Sequence, residues 1–149
     1  MSQEQVVVFS LGKEEYAVDI SQVREIIRYQ GATRIPNVPE YVEGIVNLRG
    51  KIITVVDLAK KMGLACAEQS ENRRALLLEA SGKDLAVIVD AVSEVRWLEE
   101  ANIESVTSEV EMLNDVILGI GKDGERLIIL LDVERLFASM GLVRLQDAG

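Results

Sequence analysis

The chain repeats itself. At a shift of 69 residues Ala17, Val18, Ile20, Val23 and Ile26 fall on Ala86, Val87, Val89, Val92 and Val95, and at a shift of 75 the run Ile52 to Asp57 falls on Leu127 to Asp132, with Gly44-Ile45 on Gly119-Ile120. A repeat of this kind constrains architecture more than any single motif, because each copy must form the same supersecondary unit. The unit is rich in strands. Val6 to Leu11 and Tyr16 to Ile20 read as a hairpin turning through Gly12 to Glu15, and Ala75 to Ala80 with Asp84 to Val89 is its counterpart, joined through Ser81-Gly82-Lys83. Gly44 to Val46 and Lys51 to Val56 make another hairpin around Asn47-Leu48-Arg49-Gly50. Asp57 and Asp132 stand where N-caps belong, ahead of short helices stopped by Gly63 and Gly141. The expected fold is all-β with short helices: two barrels of about five strands sharing an apolar interface, spanning residues 6–66 and 74–141, with strand exchange between the halves left open. The polar stretch from Cys66 to Arg74 reads as the linker.

Three local readings are less regular. Ser21 is expected to cap a short helical segment, since Ile20, Val23 and Ile26 or Ile27 recur at helical spacing and Gln22, Arg24 and Glu25 would form its polar face. Ala32 to Ile35 is a candidate strand. Pro36 and Pro39 then stop sheet and helix, and Asn37 is placed to cap a single helical turn that Pro39 begins and Gly44 ends.

Composition narrows function by exclusion. At 149 residues the chain is the size of one domain, and with aromatics at 4% its core must be filled by Val, Ile and Leu around Phe9, Phe137 and Trp97. A net charge of −9 opposes binding to nucleic acid or anionic membranes, which requires a basic field, and points to protein partners. The chain holds no histidine, which removes Ser-His and Cys-His dyads and imidazole metal ligands. A single cysteine forms no internal disulfide, and no charged and apolar leader opens the chain, so a cytoplasmic protein without metal or cofactor is expected. Leu127 to Leu131 falls far short of the roughly 20 apolar residues that span a bilayer.

The repeat also isolates what differs between its copies. Where the first has Asn47-Leu48-Arg49-Gly50, the second has Gly121-Lys122-Asp123-Gly124, an ordinary polar turn. An apolar residue beside a guanidinium fork is therefore not demanded by the hairpin, and Leu48-Arg49 is the leading partner-binding candidate. The alternative is that Leu48 folds back over the barrel end while Arg49 pairs with a neighbouring carboxylate. Gly119 to Gly124 matches G-x-G-x-x-G by letter, but a strand follows where a dinucleotide site needs a helix. Asp19, Asp57, Asp90 and Asp132 are scattered and stand at caps, which argues against a small carboxylate-dependent enzyme. Cys66 lacks a base. Trp97 either covers the second barrel's core or anchors an interface.

The segments FSLGKEEYAVDISQVREI, GIVNLRGKIITVVDL and AVIVDAVSEV resemble the CheW family of bacterial chemotaxis adaptors, and the likeness runs from about Val6 to Phe137. The resemblance implies two five-stranded SH3-like or OB-like barrels. It also implies a non-catalytic protein that couples chemoreceptor cytoplasmic tips to the histidine kinase CheA, through CheA's regulatory domain, at membrane-associated receptor arrays. A relative serving another histidine-kinase pathway is the alternative. By resemblance a receptor hairpin would lie in a groove lined by Val23, Glu25, Ile26, Gly44, Val92 and Val95 with Arg49 adjoining, and Asn47, Leu48, Arg49 and Gly50 would form the kinase or array contact loop. The four valine and isoleucine positions are equally readable as inter-barrel core. No attached receiver or kinase domain is expected. Arg49→Ala and Gly44→Asp are expected to abolish signalling while leaving the fold intact.

Overall fold

The computed structural model describes residues 3–64, 70–105 and 115–142. The first repeat supplies β1 (Gln3–Leu11), β2 (Glu14–Asp19), β3 (Val23–Arg28), β4 (Val42–Leu48), β5 (Lys51–Asp57) and helix α1 (Leu58–Lys61). The second supplies β6 (Arg74–Ala80), β7 (Lys83–Val89), β8 (Ala91–Glu99), a short β9 (Ile103–Glu104), β10 (Ile117–Asp123), β11 (Arg126–Leu131) and helix α2 (Val133–Ser139).

These strands form a six-stranded sheet, ordered β8-β1-β2-β11-β10-β9, and a five-stranded sheet, ordered β3-β6-β7-β5-β4. Each sheet therefore draws on both repeats. The hairpin β1-β2 lies between β8 and β11, and β6-β7 lies reciprocally between β3 and β5. Each hairpin joins the other repeat through one antiparallel pair, β1 with β8 and β6 with β3, and one parallel pair, β2 with β11 and β7 with β5. Residues 6–66 and 74–141 thus delimit the sequence repeat, not the two sheets.

Burial explains the exchange. Val6, Val8 and Ala17 point into the core of the six-stranded sheet with Leu98, Ile128 and Leu130. Ala75, Leu77, Ala86 and Ile88 do the same in the five-stranded sheet with Ile53 and Val55. The alternate residues, among them Val7, Phe9, Val18, Leu76, Leu78, Leu85 and Val87, fill a third core shared between the sheets, which also takes Leu58 of α1 and Leu136 and Phe137 of α2. A strand buried on both faces must be apolar at every position rather than alternately. That accounts for the unbroken runs Val6 to Phe9 and Leu85 to Val89.

The caps hold as expected: Asp57 accepts from the Lys60 amide and Asp132 from the Arg135 amide, at 3.2 and 3.1 Å. Elsewhere the structure corrects the local readings. Residues 23–28 form strand β3, not a helical segment, and Asp19 rather than Ser21 caps the single 3-10 turn before it, accepting from the Ser21 amide at 2.8 Å. The helix-like spacing of Val23 and Ile26 arises from a bulge between Val23 and Glu25, which sets Val23 opposite Leu78 and Ile26 opposite Leu76 and so brings both to one face. Residues 32–35 contribute only the bridge from Thr33 to Ile45, and no helical turn follows Pro39: residues 36–41 make turns leading straight into β4. Trp97 is 59% exposed and covers no core. Cys66 lies outside the described residues.

Because the shared core ties both sheets to both repeats, truncation within it should unfold the chain as one unit. Phe9→Ala, at a side chain with no exposure stacked on Tyr16, is expected to cost about 3–5 kcal/mol in urea denaturation. The transition should remain single, with tyrosine and tryptophan signals coinciding.

Candidate functional site

The hairpin β4-β5 turns in two residues, since Leu48 pairs with Lys51. Both central residues are left-handed, Arg49 at φ 52° and Gly50 at φ 85°, the pattern that matches strand twist in tight hairpins. Asn47 is not the left-handed residue. It ends within β4, and its Oδ1 accepts the Gly50 amide at 2.8 Å, closing the turn. The pairing of Asp123 with Arg126 makes Gly124-Glu125 the turn of the second repeat, so setting Asn47 to Gly50 against Gly121 to Gly124 is one residue out of register, and the equivalent of Arg49 is Gly124, at φ 63°. The first repeat therefore holds an arginine where glycine is the relaxed choice, at a cost of order 1 kcal/mol.

Arg49 reaches across the end of the five-stranded sheet to β3, where its Nη1 donates to Glu25 Oε1 at 3.1 Å and its Nη2 donates to Oε2. This bidentate bond holds the Glu25 carboxyl below the usual glutamate range. The Arg49 side chain nevertheless stays 68% exposed. Leu48 is partly buried against the core of its sheet. Both parts of the packing alternative thus hold, yet most of the fork still faces solvent.

Beside this pair, Asp84 is closed off to 6% side-chain exposure and takes Lys51 Nζ and, at 3.4 Å, Arg24 Nη1. Lys51, first, holds its carboxyl below the usual range. The second repeat builds the corresponding end differently. Arg126, the equivalent of Lys51, binds Glu15, the equivalent of Asp84, at 2.9 and 2.7 Å, and also reaches Glu94 at 3.1 Å. Glu94 is the counterpart of Glu25, and Arg96 donates to it at 3.0 Å. One glutamate is thus neutralised from within its sheet and the other by a loop arginine. These supporting ion pairs were not singled out from sequence. Their signal was present, since acid and base recur at the shifts of the repeat.

The aliphatic positions divide in the same way on both edges. Val23 on β3 and Val92 on β8 pack partly buried against the shared core, while Ile26 and Val95 remain 41% and 48% exposed. A bulge in β8, matching that in β3, sets Val92 opposite Phe9 and Val95 opposite Val7 on one face. Gly44 lines no surface. It is buried at φ 146° in a bulge of β4, and a Cβ there would lie 2.0 Å from the Thr33 carbonyl oxygen. Its equivalent Gly119 passes under the Glu104 carbonyl, 2.8 Å from where a Cβ would stand. The expectation that Gly44→Asp spares the fold is therefore overturned.

The four aspartates weighed as acid-base groups bind backbone amides: Asp19, Asp57 and Asp132 as caps, and Asp90 from Gly12 at 2.6 Å. Among the described residues no three metal-ligating side chains gather.

A family model described as the CheW-like domain matches residues 5–140. The chain is 35% identical over 137 residues to the chemotaxis protein CheW of Klebsiella aerogenes, covering 91% of this chain and 82% of that one. It is 34% identical to the chemotaxis protein CheW of Bacillus subtilis, over 87% of this chain and 83% of the other. The crystal structure of the scaffolding protein TtCheW from Thermoanaerobacter tengcongensis superposes with a TM-score of 0.82 at 38% identity, covering 91% of this chain and 93% of that one.

Two outcomes follow from the geometry. Gly44→Asp should lower stability by ~3 kcal/mol or more in chemical denaturation, since backbone must move, whereas Gly50→Ala, with open space around it, should cost only about 1 kcal/mol. Glu25 should titrate below the usual glutamate range in NMR, and in Arg49→Asn its midpoint should return to that range. The sign follows from a depressed folded value: the pair's contribution is complete above the unfolded glutamate value and is lost as pH falls through the folded one. Equal midpoints in the two proteins would contradict the pairing.

Proposed function

The chain belongs to the CheW-like family, and from that premise we propose that it is a non-catalytic chemotaxis adaptor joining chemoreceptor cytoplasmic tips to the regulatory domain of the histidine kinase CheA. Such a protein works in the cytoplasm, recruited to receptor arrays at the membrane. In keeping with this, no helix of the described residues is long and apolar enough to cross a membrane.

The observation that carries the reading is Arg49: a residue kept in a strained left-handed turn where its repeat uses glycine, presenting an exposed guanidinium held in place by Glu25. Strain retained against an available relaxed alternative marks a position selected for what it touches. The receptor hairpin binds along the apolar faces of β3 and β8, with Val23 and Val92 at the base and Ile26 and Val95 as accessible contacts. Helix-in-groove recognition needs apolar anchors and a charged rim rather than catalytic groups. The Glu25–Arg49 pair supplies that rim, and the tip Asn47 to Gly50 is the array contact. Gly44 acts one step back, by letting the chain at Thr33 cross the hairpin that carries Arg49.

A three-component pull-down with a receptor cytoplasmic fragment and CheA tests this. Wild-type protein should bridge the two, and Arg49→Ala should lose bridging and kinase activation in reconstituted membranes. Arg49→Asn, which suits the left-handed turn, should be equally defective with unimpaired thermal stability, separating function from folding. Full bridging and activation by both variants would refute the assignment.

A further inference from the structure

Trp97 is the chain's only tryptophan, and more than half of it is open to solvent. An indole so exposed leaves a large apolar surface in water, and aromatic residues of this kind are enriched where a partner covers them. Its place in the fold is specific. Along β8 the residues facing the shared core and its margin are Val92, then Val95 after the bulge, then Trp97, which lies opposite Gln5 of β1 as Val95 lies opposite Val7. Trp97 therefore continues the apolar stripe outward, without interruption, from the buried core through the half-exposed Val95.

The repeat supplies the contrast. On β3 the same face runs Val23, Ile26, then Arg28 at the position equivalent to Trp97. Arg28 lies opposite Arg74 of β6, whose guanidinium donates to the Glu71 and Arg73 carbonyls, both at 2.9 Å. Arg28 takes part in none of the ion pairs among the described residues. Two neighbouring arginines without a carboxylate partner among the described residues, in a chain of net charge −9 where most other described cations are paired, form a local site for anionic side chains. The two walls thus agree at their first two positions and diverge at the third: an indole on one, a guanidinium pair on the other.

We propose that the receptor hairpin is held asymmetrically, with Trp97 taking an apolar side chain from one of its helices and Arg28 taking a carboxylate from the other. This rests on the groove reading above and deepens it by stating the chemistry and the polarity of the bound hairpin. The two pseudo-equivalent walls would otherwise accept the hairpin in either of two orientations. Different groups at their third positions select one, by attraction on each wall and by leaving a buried carboxylate or an unmatched indole in the reverse pose.

The single tryptophan makes the test direct. Titrating the full chain with a soluble receptor cytoplasmic fragment should shift Trp97 emission to the blue and protect it from acrylamide quenching. Trp97→Ala should weaken fragment binding by about tenfold or more, as truncation of an interface anchor does. Arg28→Ala should weaken it less and flatten its salt dependence. Amide NMR spectra of both variants check that the fold persists, as expected for exposed side chains. If the fragment binds and Val95→Asp abolishes that binding, but Trp97 emission stays unchanged or both variants bind as wild type does, the asymmetric grip is overturned while the adaptor reading stands. If the wild-type chain fails to bind receptor fragments at all, the adaptor reading falls and the grip with it.

Discussion

The structure depends on a hydrophobic core that belongs to neither sheet. Residues from β1, β2, β6 and β7 fill it, and both helices add buried side chains to it. Burial of apolar area is the dominant favourable term in folding, and a sheet of five or six strands with one face exposed would leave much of this area in water. Packing the two sheets on their outer faces removes it. Each repeat lends its first hairpin to the other's sheet, so neither sheet can form from one repeat alone, and the edge strands are β8 and β9 in the six-stranded sheet and β3 and β4 in the five-stranded one.

Two of those edges expose large apolar side chains, Ile26 on β3 and Val95 and Trp97 on β8. β3 and β8 lie at the margin of the shared core, so their inner residues are fixed by packing while the next ones along are half exposed. Their bulges matter because without the extra residue Val23 and Ile26, or Val92 and Val95, would fall on opposite faces. The charged groups follow the same division. The Asp84 and Glu15 bridges recur and brace the sheet ends, whereas the Glu25–Arg49 pair has no counterpart and leaves its guanidinium available.

Comparison between the repeats is the most economical guide to role in this molecule, and it corrects an inference drawn from resemblance. Gly44 recurs as Gly119, and both sit under a crossing carbonyl where no Cβ fits, so the glycine serves the fold. Leu48-Arg49 and Trp97 do not recur. Arg49 displaces a glycine and Trp97 an arginine, and neither change is explained by packing within the chain.

Much of this was legible in the residues. Strand runs, turn positions, the Asp57 and Asp132 caps and the register of the repeat all depend on interactions within a few residues or on an internal comparison, and such signals survive in one dimension. The helical reading of residues 20–27 failed because a bulge and a helix turn both put residues three apart on one side. The left-handed conformation of Arg49 was not legible, because the tightness of the turn is set by the pairing of Leu48 with Lys51 and not by local preference. By itself the sequence determined the composition of each strand, the duplication and the unusual turn. Only the tertiary structure decided which strands share a sheet, that Glu25 is the carboxylate facing Arg49, and that Gly44 is covered by Thr33, because each of these follows from long-range burial that brings distant segments together.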